Sequence, residues 1–416
     1  MILKCKNLPI PVIFFTILLN ALGFGILIPI IPLLLADPTS KYYMLPAGFT
    51  LQQGYIIFGF LVATYSIMQF FATPVLGQLS DKFGRKKILA ISLAGTFISY
   101  IIFAIGIIIK NIPLLFISRA FDGITGGNIS VAQAVVADVT TPQNRSKNFG
   151  IIGSAFGIGF IIGPFLGGIL SEETLVSWFN AATPFWFAAL LSAINVGLIV
   201  TCLAETFRPQ KEKRVIWSQS LRNITRAFSI KNLRIIFITV FLFQVGFTFF
   251  TTFFSVYLIN KFSFTQSNTG SFFAYLGIWL VITQAVLTRI VAKKYSEISV
   301  LKITIILTGV FVIAFLLPDV WWGLLIVAPF FAAANGLTQA NSTGLVSRSA
   351  GPKIQGEILG ISTSVQALAQ AIPAMLSGFI AAALTPASTT IVASIVLIIA
   401  GVIFILFYRP AAVFEG

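Results

Sequence analysis

The chain of 416 residues has no histidine and only two cysteines, Cys5 and Cys202. Without histidine it can build neither a His-centred catalytic triad nor a conventional zinc site, and two cysteines imply no disulfide framework. Charge is scarce too, since Asp, Glu, Lys and Arg make up 9% of the residues and only 12 residues are acidic. Ordinary soluble domains carry roughly 25% charged residues, so a large water-facing domain is excluded. Apolar side chains fill the space instead, at 57% of the chain with 42 phenylalanines. That is the composition of an all-α membrane protein. The 27 Lys and Arg leave a net charge of +15. In a soluble chain this would point to nucleic acid, whereas in a membrane chain it reports topology. No nucleic-acid partner, metal or cofactor is expected, and the lack of a nucleotide-binding loop disfavours direct drive by ATP.

Apolar segments fall near residues 10–35, 54–77, 88–109, 113–138, 148–170, 183–206, 233–258, 269–292, 300–317, 321–347, 357–383 and 386–408, which predicts twelve transmembrane spans. The first, behind Lys4 and Lys6, is too long for a secretory signal and counts as a span. Twelve spans put both termini on one side. If that side is the cytoplasm, 23 bases lie inside and only Lys41, Lys110 and Lys261 outside, with Arg119 alone within a span. Losing one span would scramble that split. A multi-pass membrane protein with both termini cytoplasmic is therefore expected.

The segment from Phe207 to Asn232 is the one long cytoplasmic connection, and it divides the chain into a bundle at 1–206, a linker at 207–232 and a bundle at 233–416. Within the linker, Trp217 to Phe228 is either a plain charged connection or an interfacial helix. A weak repeat crosses the divide. Phe49-Thr50 and Gln69 recur as Phe264-Thr265 and Gln284, and Pro142, Gly150 and Gly168 recur as Pro352, Gly360 and Gly378. Two parallel six-helix pseudo-repeats follow, a design that places a substrate between halves that rock for alternating access.

Three stretches carry chemistry. Gly77-Gln78-Leu79-Ser80-Asp81-Lys82-Phe83-Gly84-Arg85-Lys86-Lys87, between spans 2 and 3, combines turn glycines with an acid and bases, and it suits a conformational latch. Span 4 reads Ser118-Arg119-Ala120-Phe121-Asp122-Gly123-Ile124-Thr125-Gly126-Gly127-Asn128, continuing to Gln133 and Asp138. Arg119 and Asp122, three apart, can pair on one face, and Asp122 falls near the midplane. Intramembrane charge is costly, so a substrate or proton site is the favoured reading over a static ion pair. Span 5 carries Gly153, Gly157, Gly159, Gly163-Pro164 and Gly167-Gly168, small residues for close helix approach with a proline bend. Close packing of Gly163 against the second half is expected. Asn20, Asn128, Gln133, Gln244, Phe247, Asn335 and Gln339 are candidates for lining a cavity that takes a small amphipathic molecule.

The Gly77 to Lys87 loop, the Arg119 to Gly126 stretch and the Gly159 to Gly168 run resemble three signature motifs of the major facilitator superfamily, in matching order and on matching helices. Arg119-x-x-x-Gly123-Ile124-Thr125-Gly126 with Ala137-Asp138 is most similar to the tetracycline-resistance and multidrug efflux branch. The resemblance is looser over the second half, where the loop after span 8 lacks an equivalent of Asp81. It implies a proton-coupled drug antiporter, not an enzyme. In such a protein Asp81 latches the halves through the start of span 11, Arg85 pairs near Asp138, and Arg119 serves proton coupling. Gly159, Gly163, Pro164, Gly167 and Gly168 form the antiporter motif, and the protein works as a monomer. The acids that tetracycline exporters carry before Gly-x-Gly in span 1, and in spans 3 and 9, are missing, since span 1 reads Asn20-Ala21-Leu22-Gly23-Phe24-Gly25. A metabolite uniporter or symporter of the same fold is the nearest alternative. A membrane-embedded enzyme or a non-transporting receptor lies further off.

Overall fold

The computed structural model describes residues 8–140, 145–207, 215–229, 234–348 and 355–409, and every element among them is helical. The first half contains α1 (Pro9–Leu35), α2 (Leu51–Phe83), α3 (Arg85–Ile108), α4 (Ile112–Gly126), α5 (Ile129–Asp138), α6 (Arg145–Leu170) and α7 (Thr183–Cys202). A short α8 (Gln219–Ser229) leads to α9 (Arg234–Phe262), α10 (Gln266–Ile282), α11 (Thr288–Ala292), α12 (Glu297–Ala314), α13 (Trp321–Arg348), α14 (Gln355–Ala383) and α15 (Pro386–Phe407).

Among the described residues, eleven helices are long and apolar enough to cross a membrane, rather than twelve. Span 4 supplies the remaining crossing as two pieces, α4 and α5, which meet at Gly127 and Asn128. Both linking residues keep right-handed helical dihedrals, so the chain loosens here without changing direction. The cause is a close approach. A methyl on Gly127 would lie 2.9 Å from the Thr73 backbone nitrogen of α2. Span 8 loosens as well, since α10 passes into α11 through a π-helical turn at Thr283–Leu287.

The helices start where local chemistry stops the extended chain. Thr50 Oγ1 accepts a hydrogen bond from the Gln53 backbone N–H while the Gln53 side-chain oxygen accepts one from the Thr50 backbone N–H, and Asn111 caps α4 by accepting from the Leu114 N–H at 2.9 Å. Thr265, the repeat partner of Thr50, caps α10 through the Asn268 backbone. The sequence repeat is therefore also a structural one. It continues into the packing between halves, for a methyl on Gly168 would lie 2.5 Å from the Gln266 carbonyl at the start of α10, and one on Gly378 would lie 2.7 Å from the Tyr55 carbonyl near the start of α2. Each half thus presses a glycine of its fifth span onto the second span of the other. These contacts sit at the end of the bundle opposite the linker. Because lipid is as apolar as the side chains, such backbone-to-backbone fits take the place of hydrophobic drive.

At the linker end, α8 bridges the halves by hydrogen bonds. Ser220 Oγ donates to the Phe70 carbonyl of α2 at 2.6 Å, and Asn223 Nδ2 donates to Ser364 Oγ of α14 at 3.0 Å. Gln78 grips the Ile216 backbone with both ends of its amide. Ser220, Asn223 and Ala227 form the buried face, while Leu221, Arg222 and Arg226 face outward beside the exposed Trp217. Within the linker the chain is therefore helical over Gln219–Ser229.

Candidate functional site

The only ion pair with both partners deeply buried among the described residues lies inside span 4. Arg119 Nη1 donates to Asp122 Oδ2 at 2.8 Å, and the two residues are 4% and 5% exposed. Helical spacing of three brings them together, as expected. The guanidinium carbon stands 4.4 Å from the centre of the Tyr65 ring on α2, a cation–π contact that steadies the charge from the opposite helix. Tyr65 is held in turn by Gln69, whose Nε2 donates to the Tyr65 hydroxyl at 3.0 Å and to the Gly126 carbonyl at 3.3 Å. Arg119 Nε has no hydrogen-bond partner. The pair therefore keeps one unspent donor in a region without bulk water, which leaves room for a change of partner. Tyr65 was not identified from the sequence. Its signal was Gln69, one turn further on, which the repeat marks without giving it a role.

Asn20, at the place of the missing span 1 acid, donates through Nδ2 to Asn128 Oδ1 at 2.8 Å. This amide pair ties α1 to the loosened joint of span 4. One turn earlier on α1, Thr16 and Asn195 of α7 share hydrogen bonds at 3.1 and 3.3 Å. In the second half Gln339 Nε2 donates to Asn335 Oδ1 at 3.3 Å. Four of the seven cavity candidates thus form two amide pairs, one in each half. Gln133 and Gln244 are half-buried, and Phe247 sits among the aromatic side chains of α9. The described residues hold no group of Asp, Glu or Cys arranged for a metal ion.

The stretch expected to act as a latch is organised around Arg85, which is buried despite its charge. Its guanidinium meets Asp81 at 2.6 Å, Asp138 at 3.1 Å and Ser80 Oγ at 2.5 Å, with the Phe207 ring centre 4.8 Å away. Gly84 turns the chain between α2 and α3 at φ +100°, a conformation that a Cβ would strain. Gly77 packs beside Ser130 of α5, 3.5 Å from where a methyl would sit. The expected contact from Asp81 to the start of span 11 falls on side chains outside the described residues. Glu205, just past α7, was not singled out in the sequence. Its carboxylate accepts from the backbone N–H groups of Arg85 at 2.8 Å and Lys86 at 3.3 Å, so it supplies the helix cap that Gly84 lacks. Thr206 joins the network through Asp138 at 3.2 Å.

The span 5 glycines divide between two faces. Methyl groups on Gly159, Gly163 and Gly167 would lie 2.6 to 2.7 Å from atoms of Ala21, Leu22 and Ile26, all on α1 of the same half. The expectation that Gly163 packs against the second half is corrected accordingly. Residues four apart line one face, and that face belongs to α1. The neighbouring face, with Pro164 and Gly168, meets Gly270 and the start of α10 in the other half.

Residues 13–374 match the family model of the Major Facilitator Superfamily. The chain belongs to that superfamily. This facilitator is 30% identical to the class H tetracycline resistance protein of Pasteurella multocida over 378 residues, covering 90% of this chain and 89% of the relative. It is 27% identical to major facilitator superfamily domain-containing protein 10 of Mus musculus, covering 87% of this chain and 84% of that one. Its fold matches the human organic anion transporter MFSD10 (TETRAN) with a TM-score of 0.71 at 22% identity, over 95% of this chain and 98% of that one. It also matches the inward-open xylose transporter XylE from E. coli with a TM-score of 0.75 at 15% identity, over 96% of both chains. The protein is a multi-pass membrane transporter of small molecules and not an enzyme.

Proposed function

We propose that this facilitator exports an amphipathic organic compound from a bacterial cell across the plasma membrane in exchange for protons. The halves 1–206 and 233–416 rock about the linker at 207–232, with both termini cytoplasmic and one chain as the working unit. The observation that carries the proton part of this reading is the buried Arg119–Asp122 pair with its unspent guanidinium donor. A carboxylate facing a guanidinium is held charged, and the same group left in an apolar pocket takes up a proton. Alternating access could switch Asp122 between those two settings, which is the minimum that a proton antiporter needs. The direction of transport is supported by the tetracycline resistance relatives and by the span 5 glycine-proline run.

The test uses purified protein in proteoliposomes under an imposed pH gradient, with a lipophilic dye as reporter substrate. Asp122→Asn is expected to lose uptake driven by the gradient while keeping downhill dye exchange. A well-folded Asp122→Asn protein that still concentrates dye at the wild-type rate overturns the assignment.

A further inference from the structure

Five phenylalanines converge where the halves meet. Phe160 of α6, Phe247 and Phe250 of α9, Phe273 of α10 and Phe331 of α13 enclose a space together with Thr251, Leu276 and Leu280. The cavity is nearly shut, at about 10 Å³, close to the room needed for one water molecule. Phe160 is the one lining residue from the first half. It stands next to Ile161, which packs so closely on Gly277 of α10 that a methyl there would be 3.2 Å from the Ile161 Cα. Motion of one half relative to the other therefore withdraws a single wall of the pocket, and its volume is tied to the conformation of the protein.

No charged side chain lines this space. Its polar group is the Thr251 hydroxyl, which already donates to the Phe247 carbonyl at 3.1 Å and can offer only an acceptor. Asn335 lies four residues after Phe331 on α13, on the same helix face. It is fully buried at 0% exposure, its Oδ1 accepts from Gln339, and its Nδ2 has no partner. A buried amide N–H without an acceptor costs free energy that a ligand oxygen would recover. Phe250, Phe273 and Phe331 are fixed in the second-half core, whereas Phe160 and Phe247 are half-buried.

We propose that this pocket binds the planar aromatic portion of the exported compound, and that Asn335 donates a hydrogen bond to a carbonyl-type oxygen at its edge. Ring faces contact ring faces, so the site selects flat, uncharged ring systems that bear an acceptor. The compound occupies the pocket only when Phe160 has moved outward, and its binding pulls the equilibrium towards that state. The assignment of this ligand as the transported compound rests on the export reading above, while the pocket itself is tested by binding alone.

Full-length protein in lipid nanodiscs is titrated with N-methylacridone, a planar tricycle with one carbonyl and no N–H, and with anthracene, the tricyclic hydrocarbon. Partitioning into protein-free discs is subtracted. Phe160→Ala and Phe247→Ala are expected to weaken both probes by about tenfold. Asn335→Ala is expected to weaken N-methylacridone by about fivefold and to leave anthracene unchanged. Phe247→Leu keeps the side-chain bulk without the ring, and it gives the same loss should the alanine variant not fold. Wild-type protein that binds neither probe, or folded Phe160 and Phe247 variants that bind both as tightly as wild type, overturns the pocket. An Asn335→Ala variant that weakens both probes equally overturns the hydrogen bond. The expected pattern in a protein that moves no probe under a pH gradient supports the pocket and overturns the transport reading instead.

Discussion

Removing the carboxylate of Asp122 should destabilise the first half by an amount set by what else faces Arg119. Breaking a buried ion pair from one side costs about 3–5 kcal/mol, because the remaining charge is left unpaired. Here the Tyr65 ring lies 4.4 Å from the guanidinium and stays in place. A desolvated cation–π contact is worth up to about 2 kcal/mol and persists after the change, so the orphaned guanidinium keeps part of its compensation. Asp122→Ala should therefore fall in the lower part of the range, near 3 kcal/mol. Asp122→Asn keeps an acceptor oxygen for the Nη1 bond at 2.8 Å. It should lose only the difference between a charged and a neutral hydrogen bond, about 1–1.5 kcal/mol. The double variant Arg119→Met with Asp122→Leu removes both charges and should return close to wild-type stability. Unfolding titrations in mixed micelles, with retained ligand binding as the check on fold, measure all three. If Asp122→Ala matches wild type to within about 0.5 kcal/mol, the pair carries no net interaction and the partner-exchange argument loses its basis. A stable double variant without pH-driven transport would separate coupling from folding, since stability and proton dependence would then belong to different properties of the same two residues.

Glu205→Ala should cost about 1–2 kcal/mol of first-half stability by uncapping α3, and Glu205→Gln about half of that; thermal unfolding in detergent reads both, and an unchanged midpoint for the alanine variant refutes the cap. Gly163→Leu should lower folded yield because it separates α1 from α6, whereas Gly168→Leu should leave each half folded and hold the halves apart at the end opposite the linker. Spin-label distances across the halves distinguish the two, and identical distributions for Gly168→Leu and wild type would refute the contact. Outside the spans, hydrogen bonds from Lys41 and Tyr42 hold the Glu173 carboxyl below its ordinary value of 4.5. A depressed carboxylate stabilises its contacts above the unfolded value and loses that contribution as pH falls through the folded one, so the tie between residues 41–42 and 173 should persist from neutral pH down to about 4.5 and loosen only below it. Hydrogen exchange at residues 40–44 across this range checks the sign, and Glu173→Gln should abolish the pH dependence.

The all-helical membrane fold and the Arg119–Asp122 pair were legible because each depends on local or periodic information. Apolar length gives a span, and a spacing of three gives the pair. Span 4 read as continuous because Gly126-Gly127-Asn128 loosens the helix only in answer to the Thr73 backbone of α2, a contact that no local pattern records. Gly163 was assigned to the wrong neighbour for a related reason. A run of small residues states that helices approach closely but does not name the helix, and α1 offers a matching face at Ala21, Leu22 and Gly25. Glu205 was passed over because an acid beside a span end is ordinary as sequence. Only the fold brings it 120 residues back in the chain to the unsatisfied N–H groups of Arg85 and Lys86.

The two halves repeat one another in packing and differ in chemistry. Gly168 of α6 against α10 and Gly378 of α14 against α2 are equivalent contacts, and Thr50 and Thr265 are equivalent caps. At the repeat partner of Gln69, however, the second half has Gln284 inside a π-helical turn, and no described charge in its spans is as deeply buried as Arg119 and Asp122. Its interior is instead a set of phenylalanine rings around Phe250, Phe254 and Phe315, with centroids 4.5 to 5.6 Å apart. Buried charge belongs to the first half and aromatic surface to the second. A proton taken up at Asp122 therefore cannot act on a ligand among those rings by direct contact, and any exchange between them has to pass through the relative position of the halves. In the export reading proposed above, the shared packing would allow a single rocking motion, and the unlike interiors would give that motion two different events to couple. Phe160 is placed to connect them, because it rides on α6, whose neighbouring glycines are seated on α1, while its ring closes a pocket built by the other half.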